Sequence, residues 1–330
     1  MVRCLTYNAA STVLNWAQVM ATTFKNVAVV GAGTMGADMA VRLAASGCNV
    51  FLMARPGKSR DSFAPRAHRS AADLGADFDT LRIELVPALE SLPWQQLDLV
   101  IENVKEDLGI KQQVFREMVA LAPAKLPLAS NSSTYSVRRI GEALDTQERM
   151  LGLHFFMPAH LIPLVEVVLT DHTDTSMAQR LYDEFAALQF KPVMVKRDVP
   201  GFLANRMQAA LMREAWSLID RGVASPEDVD RAVRYGFGFR YVAAGPVLQK
   251  EISGLDVTAA AGASLYPDLC NDSAPPQFLM DKVERGECGM KTGKGFWEWD
   301  DGAIAAERER YAKALQAALA VLQSEDSQND

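Results

Sequence analysis

Short apolar runs alternate with helical patterns along the first part of the chain. The runs at 27–30, 48–54, 97–101 and 191–195 have the length of buried strands. The stretch 34–47, between the first two runs, instead carries a helical pattern and ends at a glycine. This alternation predicts a mostly parallel β-sheet with helices on its faces.

From residue 198 onward the pattern is mainly helical. Ser225 followed by Pro226 is typical of a helix start, with the serine as N-cap. Apolar residues recur there at helical spacing, as at Met207, Leu211, Ala215 and Leu218. The change of pattern predicts that an all-helical domain follows the sheet.

A glycine-rich turn, GAGTMG, joins the first apolar run to the first helical stretch. In this setting Gly31 permits the tight turn, Gly33 lets the backbone approach a pyrophosphate, and Gly36 lets the helix pack on the strand. The N-terminus of the helix adds amide donors for phosphate. We therefore predict a dinucleotide site that also includes Thr34 and Met35. The predicted fold is α/β, a Rossmann-type doubly wound and mostly parallel sheet followed by an all-helical C-terminal domain.

The patterns divide the chain into four segments. We predict an N-terminal extension at 1–23, a dinucleotide-binding domain at 24–197, a helical domain at 198–322 and a frayed tail at 323–330. The first residues lack the continuous apolar core of a signal peptide. A translation start at Met20 is an alternative account of the extension.

The loop after the second apolar run, ARPGKSR, lacks the Asp or Glu that usually binds the adenosine ribose of NAD. It offers Arg55, Lys58 and Ser59 instead, which are suited to a ribose 2′-phosphate. The sequence therefore favours NADP(H) over NAD(H). The alternative is a solvated basic loop.

Composition narrows the class of partner. The net charge of −7 argues against nucleic acid and anionic membranes, and no apolar run reaches the ~18 residues of a membrane span. The four cysteines form no CxxC pair, so neither a zinc site nor a disulfide framework is indicated, and we expect no metal. A reducing, cytoplasmic setting fits this cysteine usage.

His154 is one of four histidines and ends an apolar run at HFFMP, and Glu166 follows within LVEVV. A histidine and a carboxylate on adjoining buried strands either pair or carry a desolvation penalty. A paired histidine can act as a general base near neutral pH. The alternative is a core histidine satisfied by a backbone carbonyl.

Six motifs occur in the order and approximate spacing of one family. GAGTMG, IENVKED, SNSS, HFFMP with LVEVV, VPGFLANR and KTGKGF resemble the 3-hydroxyacyl-CoA dehydrogenases, from about Lys25 to Trp299. Relatives on the same plan include lambda-crystallin-like gulonate dehydrogenases and carnitine dehydrogenases, which use small acids rather than thioesters. The resemblance implies hydride transfer between a nicotinamide and a 3-hydroxy/3-oxo group. It also implies a homodimer formed through the helical domain.

The resemblance implies roles for the motif residues. His154 would be the general base, oriented by Glu166. Ser133 and Asn205 would lie near the reacting oxygen, and Glu106 and Lys111 would lie near the nicotinamide ribose. The alternatives without a role in the reaction are a helix cap for Ser133, local hydrogen bonding for Asn205 and a solvated charge for Glu106.

Three departures bear on the substrate. Met157 stands where the family usually has asparagine, and the segment 56–97 leaves little room for the long helical pair of the CoA-specific members. Arg240 matches the small-acid relatives and is suited to a carboxylate, although a surface cation is the alternative. A free small hydroxy acid or carbonyl is therefore the alternative to a CoA thioester. A dinucleotide-binding protein without activity, as among the crystallins, is the rival from another class.

Overall fold

A computed structural model of the chain describes residues 23–329, with side chains up to Ser324. The predicted N-terminal extension lies outside the described residues, except for Thr23, and so does the question of a start at Met20.

Residues 26–195 contain one eight-stranded sheet with strand order β3-β2-β1-β4-β5-β6-β7-β8. Only the β6–β7 pair is antiparallel; the other neighbours are parallel, which confirms the predicted doubly wound sheet. The strands are β1 Asn26–Val30, β2 Asn49–Met53, β3 Ile83–Val86, β4 Leu99–Glu102, β5 Leu128–Ser130, β6 Met150–Phe155, β7 Leu164–Val168 and β8 Lys191–Val195.

The central strands are apolar because both faces of the sheet are covered. Val27, Val29 and Leu99 are fully buried, as are most residues of β4 and β6. The helices that cover the sheet are α1 Thr34–Ala45, α2 Lys58–Asp61, α3 Phe63–Asp73, α4 Leu108–Leu121, α5 Val137–Ile140 and α6 Thr175–Ala187. The predicted first helix is therefore confirmed, with Ser46 as its C-cap and Gly47 just beyond it.

The structure divides into two compact units, the first ending at Asn205 and the second beginning at Arg206. The sequence pattern placed this boundary at 197–198. The residues in between belong to the first unit because Phe202 is buried with Val168 and Val195, at the ends of β7 and β8.

The second unit is helical, as predicted. Ser225 caps its second helix by accepting the backbone N–H of Asp228, and Trp216 stacks on Phe296 at 5.4 Å between ring centroids. Its helices are α7 Ala204–Asp220, which begins in the first unit, α8 Pro226–Ala232, α9 Gly238–Arg240, α10 Pro246–Ser253, α11 Leu255–Leu265, α12 Gln277–Glu284 and α13 Asp301–Asn329.

Helix α13 runs through most of the segment predicted to fray. The residues from Ser324 to Asn329 contain neither proline nor glycine, the two residue types that most disfavour a helix interior. Within the described residues, no helix is both long and apolar enough to cross a membrane.

Candidate active site

The antiparallel pair β6–β7 places His154 directly opposite Glu166. The His154 Nδ1 atom lies 2.8 Å from Glu166 Oε2, and both side chains are buried. In the neutral tautomer that carries its proton on Nδ1, the imidazole donates to the carboxylate and Nε2 keeps a lone pair. This is the arrangement that a histidine general base requires.

The other oxygen of Glu166 is also occupied. Glu166 Oε1 accepts the backbone N–H groups of Leu203 at 3.0 Å and Ala204 at 2.8 Å. These amides begin α7, and the N-terminus of a helix favours a negative charge. The carboxylate is therefore held at both oxygens, and its orientation toward His154 is fixed.

Aromatic rings flank His154. The centroid of its imidazole lies 4.6 Å from the ring of Phe156 and 5.4 Å from the ring of Phe202. Such packing restricts rotation of the imidazole.

A second polar cluster lies at the carboxyl end of β4. Lys111 Nζ contacts Glu102 Oε1 at 2.9 Å and Glu106 Oε2 at 3.1 Å. Ser130 Oγ donates to Glu102 Oε2 at 2.6 Å. Lys111 and Glu102 are almost fully buried, so each compensates the charge of the other.

Glu106 connects this cluster to the loop after β5. Its Oε1 atom accepts Ser132 Oγ at 2.5 Å and the backbone N–H of Thr134 at 3.1 Å. Partial burial by itself raises the pKa of Glu106, but the Ser132 hydrogen bond and the Lys111 charge hold that pKa below its usual value. Glu106 is exposed, as the solvated-charge alternative expects, but its carboxylate also binds Ser132, Thr134 and Lys111.

Two asparagines join three strand ends. Asn131 Nδ2 donates to Asn103 Oδ1 at 2.7 Å, and Asn131 Oδ1 accepts the backbone N–H of Phe155 at 2.8 Å. Phe155 is the neighbour of His154, so this link fixes the end of β6. The sequence patterns did not single out Asn103, Asn131, Ser132 and Glu102. These residues stand at the carboxyl ends of the parallel strands β4 and β5, where polar residues mark ligand sites.

The glycine-rich turn has the geometry that a dinucleotide requires. Gly31 has φ +119°, and a Cβ on Gly36 would lie 1.9 Å from the carbonyl oxygen of Gly31. Nothing lies within 4 Å of the position of a Cβ on Gly33. Helix α1 begins at Thr34 with no side-chain cap, so its first amides and the open space over Gly33 fit a pyrophosphate.

The basic loop after β2 is exposed. Arg55, Lys58 and Ser59 lie on the surface at the carboxyl end of the strand, and Lys58 begins the short helix α2. Arg60 Nη1 donates to the carbonyl oxygen of Ala54 at 3.0 Å, so this cation is used within the loop.

The remaining predicted residues have different settings. Ser133 is exposed, and Ser136 rather than Ser133 is the N-cap of α5, so the capping alternative for Ser133 is wrong. Asn205 is half-buried in the first turn of α7. Arg240 belongs to the second unit, where it lines an apolar cavity of about 920 Å³ together with Ile252 and Val257.

Comparison with known families decides the assignment. The model for the NAD binding domain of 3-hydroxyacyl-CoA dehydrogenase matches residues 26–199, and the model for the C-terminal domain of that enzyme matches residues 201–299. The chain belongs to the 3-hydroxyacyl-CoA dehydrogenase family. This is a family of oxidoreductases, and residues 26–199 match its NAD binding domain, as the motifs predicted.

Individual relatives differ in substrate. The chain is 33% identical to the mitochondrial hydroxyacyl-coenzyme A dehydrogenase of Sus scrofa, over 83% of this chain and 91% of the relative. It is 32% identical to the 5-formyl-3-hydroxy-2-methylpyridine 4-carboxylate 5-dehydrogenase of Mesorhizobium japonicum (strain LMG 29417 / CECT 9101 / MAFF 303099), over 89% of this chain and 98% of the relative.

A solved structure of a 5-formyl-3-hydroxy-2-methylpyridine 4-carboxylic acid 5-dehydrogenase, described as an NAD⁺-dependent dismutase, superimposes with a TM-score of 0.84. It is 30% identical and covers 91% of this chain and 99% of its own. These comparisons indicate NAD rather than the NADP that the basic loop favoured. A basic residue near the adenosine ribose does not by itself exclude NAD, because the missing acid removes only one contact with a hydroxyl.

Proposed function

We propose that the protein is an NAD-dependent dehydrogenase that acts on the hydroxy or oxo group of a small free acid, with His154 as general base. The observation that carries the proposal is the 2.8 Å contact between His154 Nδ1 and Glu166 Oε2 in a buried hairpin. A general base must keep one lone pair directed at the substrate while its other nitrogen is fixed.

The chain's own residues would handle the proton. The Nε2 atom of His154 would take the hydroxyl proton during oxidation, and Glu166 would stabilise the imidazolium that results. The nicotinamide, when bound, supplies the hydride chemistry. Oriented acid–base help of this kind contributes on the order of 10²–10⁴ in rate.

Other residues would bind and orient the reactants. We assign Ser133 and Asn205 to the reacting oxygen and Arg240 to a substrate carboxylate. We assign the turn formed by Gly31, Gly33, Thr34, Met35 and Gly36, together with Glu106 and Lys111, to the cofactor. The Glu106–Lys111 contact supports the last two assignments because it would place a fixed donor and a fixed acceptor beside a ribose.

Two observations support a free acid rather than a CoA thioester. The segment after β2 folds into only a four-residue and an eleven-residue helix, α2 and α3, instead of a long charged pair. In addition, the Mesorhizobium japonicum relative, matched over 98% of its length, is named for a pyridine carboxylate. The 3-hydroxyacyl-CoA thioester is the second candidate, supported by the identity with the Sus scrofa enzyme.

We propose a homodimer formed through the second unit. Among the apolar side chains described in that unit, only Ala215 and Leu319 are buried, whereas Val247 and Ile252 are 75% and 74% exposed. A helical unit with so little buried apolar surface has its stability supplied by a partner surface. A cytoplasmic location remains the proposal from cysteine usage.

The decisive experiment is a hydride-transfer assay on the purified protein. NADH and NADPH are each tested with acetoacetyl-CoA, a panel of free 3-oxo acids and aromatic aldehyde acids. We expect turnover with a free acid and NADH, and at least a 10²-fold loss of kcat in His154→Gln with NADH affinity kept.

The other outcomes separate the alternatives. Turnover with acetoacetyl-CoA alone would establish the thioester candidate. Tight NADH binding without turnover on any compound would favour the non-catalytic rival. Near-normal turnover of the His154→Gln variant would refute the general-base assignment whatever the substrate.

A further inference from the structure

The loop 156–163 joins the strands that carry His154 and Glu166. Connecting loops normally lie on the surface, because their backbone polar groups need water. The middle of this loop is buried instead: Ala159 is fully buried and His160 is 6% exposed. The hairpin of the proposed active site is thus closed by a segment packed into the first unit.

His160 reaches two carboxylates from two helices. Its Nε2 atom lies 3.0 Å from Asp73 Oδ2, at the end of α3. Its Nδ1 atom lies 3.4 Å from Asp38 Oδ2, in α1, at ion-pair distance but without hydrogen-bond geometry. Two carboxylates this close to one buried imidazole favour its cationic form.

The carboxylate of Asp38 is itself fully buried and held from α3. Arg66 donates to both of its oxygens, from Nε at 2.8 Å and from Nη2 at 2.7 Å, and Ser70 Oγ donates at 2.9 Å. With His160 protonated, two cations balance the two carboxylates of Asp38 and Asp73. With His160 neutral, a buried negative charge loses part of its compensation.

The cluster connects parts of the proposed site that are distant in sequence. Helix α1 begins at the glycine-rich turn, and Asp38 lies just after Gly36. The loop 156–163 begins directly after Phe155, the last residue of β6 that pairs with β7. An anchor between α1 and this loop therefore fixes the hairpin relative to the dinucleotide turn.

We propose that His160 is a positioning residue for the reaction, which clamps the loop 156–163 to α1 and α3 and so holds His154 and Glu166 in register beside the dinucleotide turn. The inference rests on the proposed role of His154 as general base. In this role His160 would contact neither the substrate nor the cofactor.

The clamp depends on pH. Burial alone lowers the pKa of His160, but the neighbouring carboxylates of Asp38 and Asp73 raise that pKa above the ordinary 6.5. Burial alone raises the pKa of Asp38, but His160 and Arg66 hold it below the ordinary 3.8. A raised histidine pKa gives stability that is complete below pH 6.5 and is lost as the pH rises through the folded value. The lowered Asp38 pKa extends the clamp toward acid pH, so release occurs on the alkaline side.

The experiment uses His160→Gln, with His172→Gln as the matched control because His172 is exposed in the loop after β7. Asp73→Asn serves as a second variant, since the Asp73 side chain is partly exposed and its change leaves the Asp38–Arg66 pair intact. The chain has four histidines, so each ring resonance in an NMR titration is assigned by a single substitution. NADH affinity and kcat against pH are measured in parallel, with the substrate identified in the panel above.

We expect His160→Gln to lower kcat at least about tenfold at pH 7 while the Kd for NADH stays within about threefold, since a small misplacement of a base is costly. Release of the clamp should make kcat of the wild type decline at alkaline pH. This decline should disappear in His160→Gln and should move to lower pH in Asp73→Asn. The titration of the His154 ring should shift in both. A merely structural role would lower thermal stability without changing the pH profile.

Two results would overturn the proposal. In the first, the His160→Gln and His172→Gln proteins have the same kcat and the same titration of the His154 ring. In the second, Asp73→Asn changes the titration of His160 but leaves the pH profile of kcat unchanged. If His160→Gln fails to fold, Asp73→Asn decides by the same readouts. Loss of the proposed function is recognised separately, by turnover that survives His154→Gln.

Discussion

Glu166 Oε1 accepts the backbone N–H of Ala204 at 2.8 Å, while the other oxygen of the same carboxylate holds His154. One buried side chain thus serves both the proposed base and the first turn of α7. The two roles can be separated by substitution, because an amide keeps one acceptor oxygen and a methyl group keeps none.

Glu166→Ala should lower the free energy of unfolding by about 2–4 kcal/mol, because it leaves the Leu203 and Ala204 amides without an acceptor. Glu166→Gln should cost about 1 kcal/mol, since its amide oxygen still accepts these N–H groups. Both variants should lose turnover on the order of 10²-fold. Urea unfolding and steady-state kinetics test this, with the exposed Glu142→Ala as control; equal stability of the two Glu166 variants would contradict it.

Gly36→Ala should prevent dinucleotide binding and destabilise the first unit, because the added Cβ would meet the Gly31 carbonyl oxygen at 1.9 Å. Gly33→Ala has open space around its Cβ and should fold normally, yet it should weaken NADH binding because the methyl group occupies the approach to the pyrophosphate. Thermal unfolding with and without NADH distinguishes the two. A Gly33→Ala protein with wild-type NADH affinity would show that the pyrophosphate binds elsewhere.

Lys111→Met should cost about 3–5 kcal/mol, because the buried Glu102 loses the cation that compensates it. Adding Glu102→Gln should recover much of this loss, since the double variant buries no unpaired charge. The exposed Lys105→Met is the matched control and should change stability by less than ~0.5 kcal/mol. A double-mutant cycle measured by urea unfolding gives the coupling free energy between Lys111 and Glu102. Additive losses of stability would show that the buried ion pair does not cause the loss in Lys111→Met.

Arg55→Ala should weaken NADPH binding about tenfold and change NADH binding less than about twofold, because a guanidinium contributes mainly through a charge-assisted contact with the 2′-phosphate. The wild-type protein should bind NADH more tightly than NADPH, as its family relationship indicates. Fluorescence titration of both cofactors measures these affinities. An NADPH preference in the wild type would restore the expectation drawn from the basic loop.

The sequence predicted those features that arise from local pattern. The turn at Gly31–Gly36 and the strands around it follow from residues that are neighbours in the chain, and the partners His154 and Glu166 lie on two successive apolar runs. The N-cap at Ser225 was also predicted from the residues next to it. In each case the pattern within a short segment of sequence is sufficient for the prediction.

Contacts between distant segments could not be predicted. Nothing in the surroundings of Asp38 indicates His160, and Ser130 meets Glu102 only because β4 and β5 are neighbours in the sheet. The unit boundary also depended on tertiary packing. Phe202 is one of several apolar residues in the segment after β8, and its burial with Val168 and Val195 assigns that segment to the first unit. Pattern gives the elements, and the crossover connections decide which polar ends meet.

The single antiparallel pair in the sheet has a consequence for how the protein assembles. His154 and Glu166 meet across a hairpin, so closing a short loop is enough to bring them together, and hairpins form within microseconds. The links from Ser130 to Glu102 and from Ser132 to Glu106 need the parallel crossover between β4 and β5, whose closure is slower because it orders far more chain. During folding, the acid–base pair can therefore be in contact before a cofactor-binding surface exists.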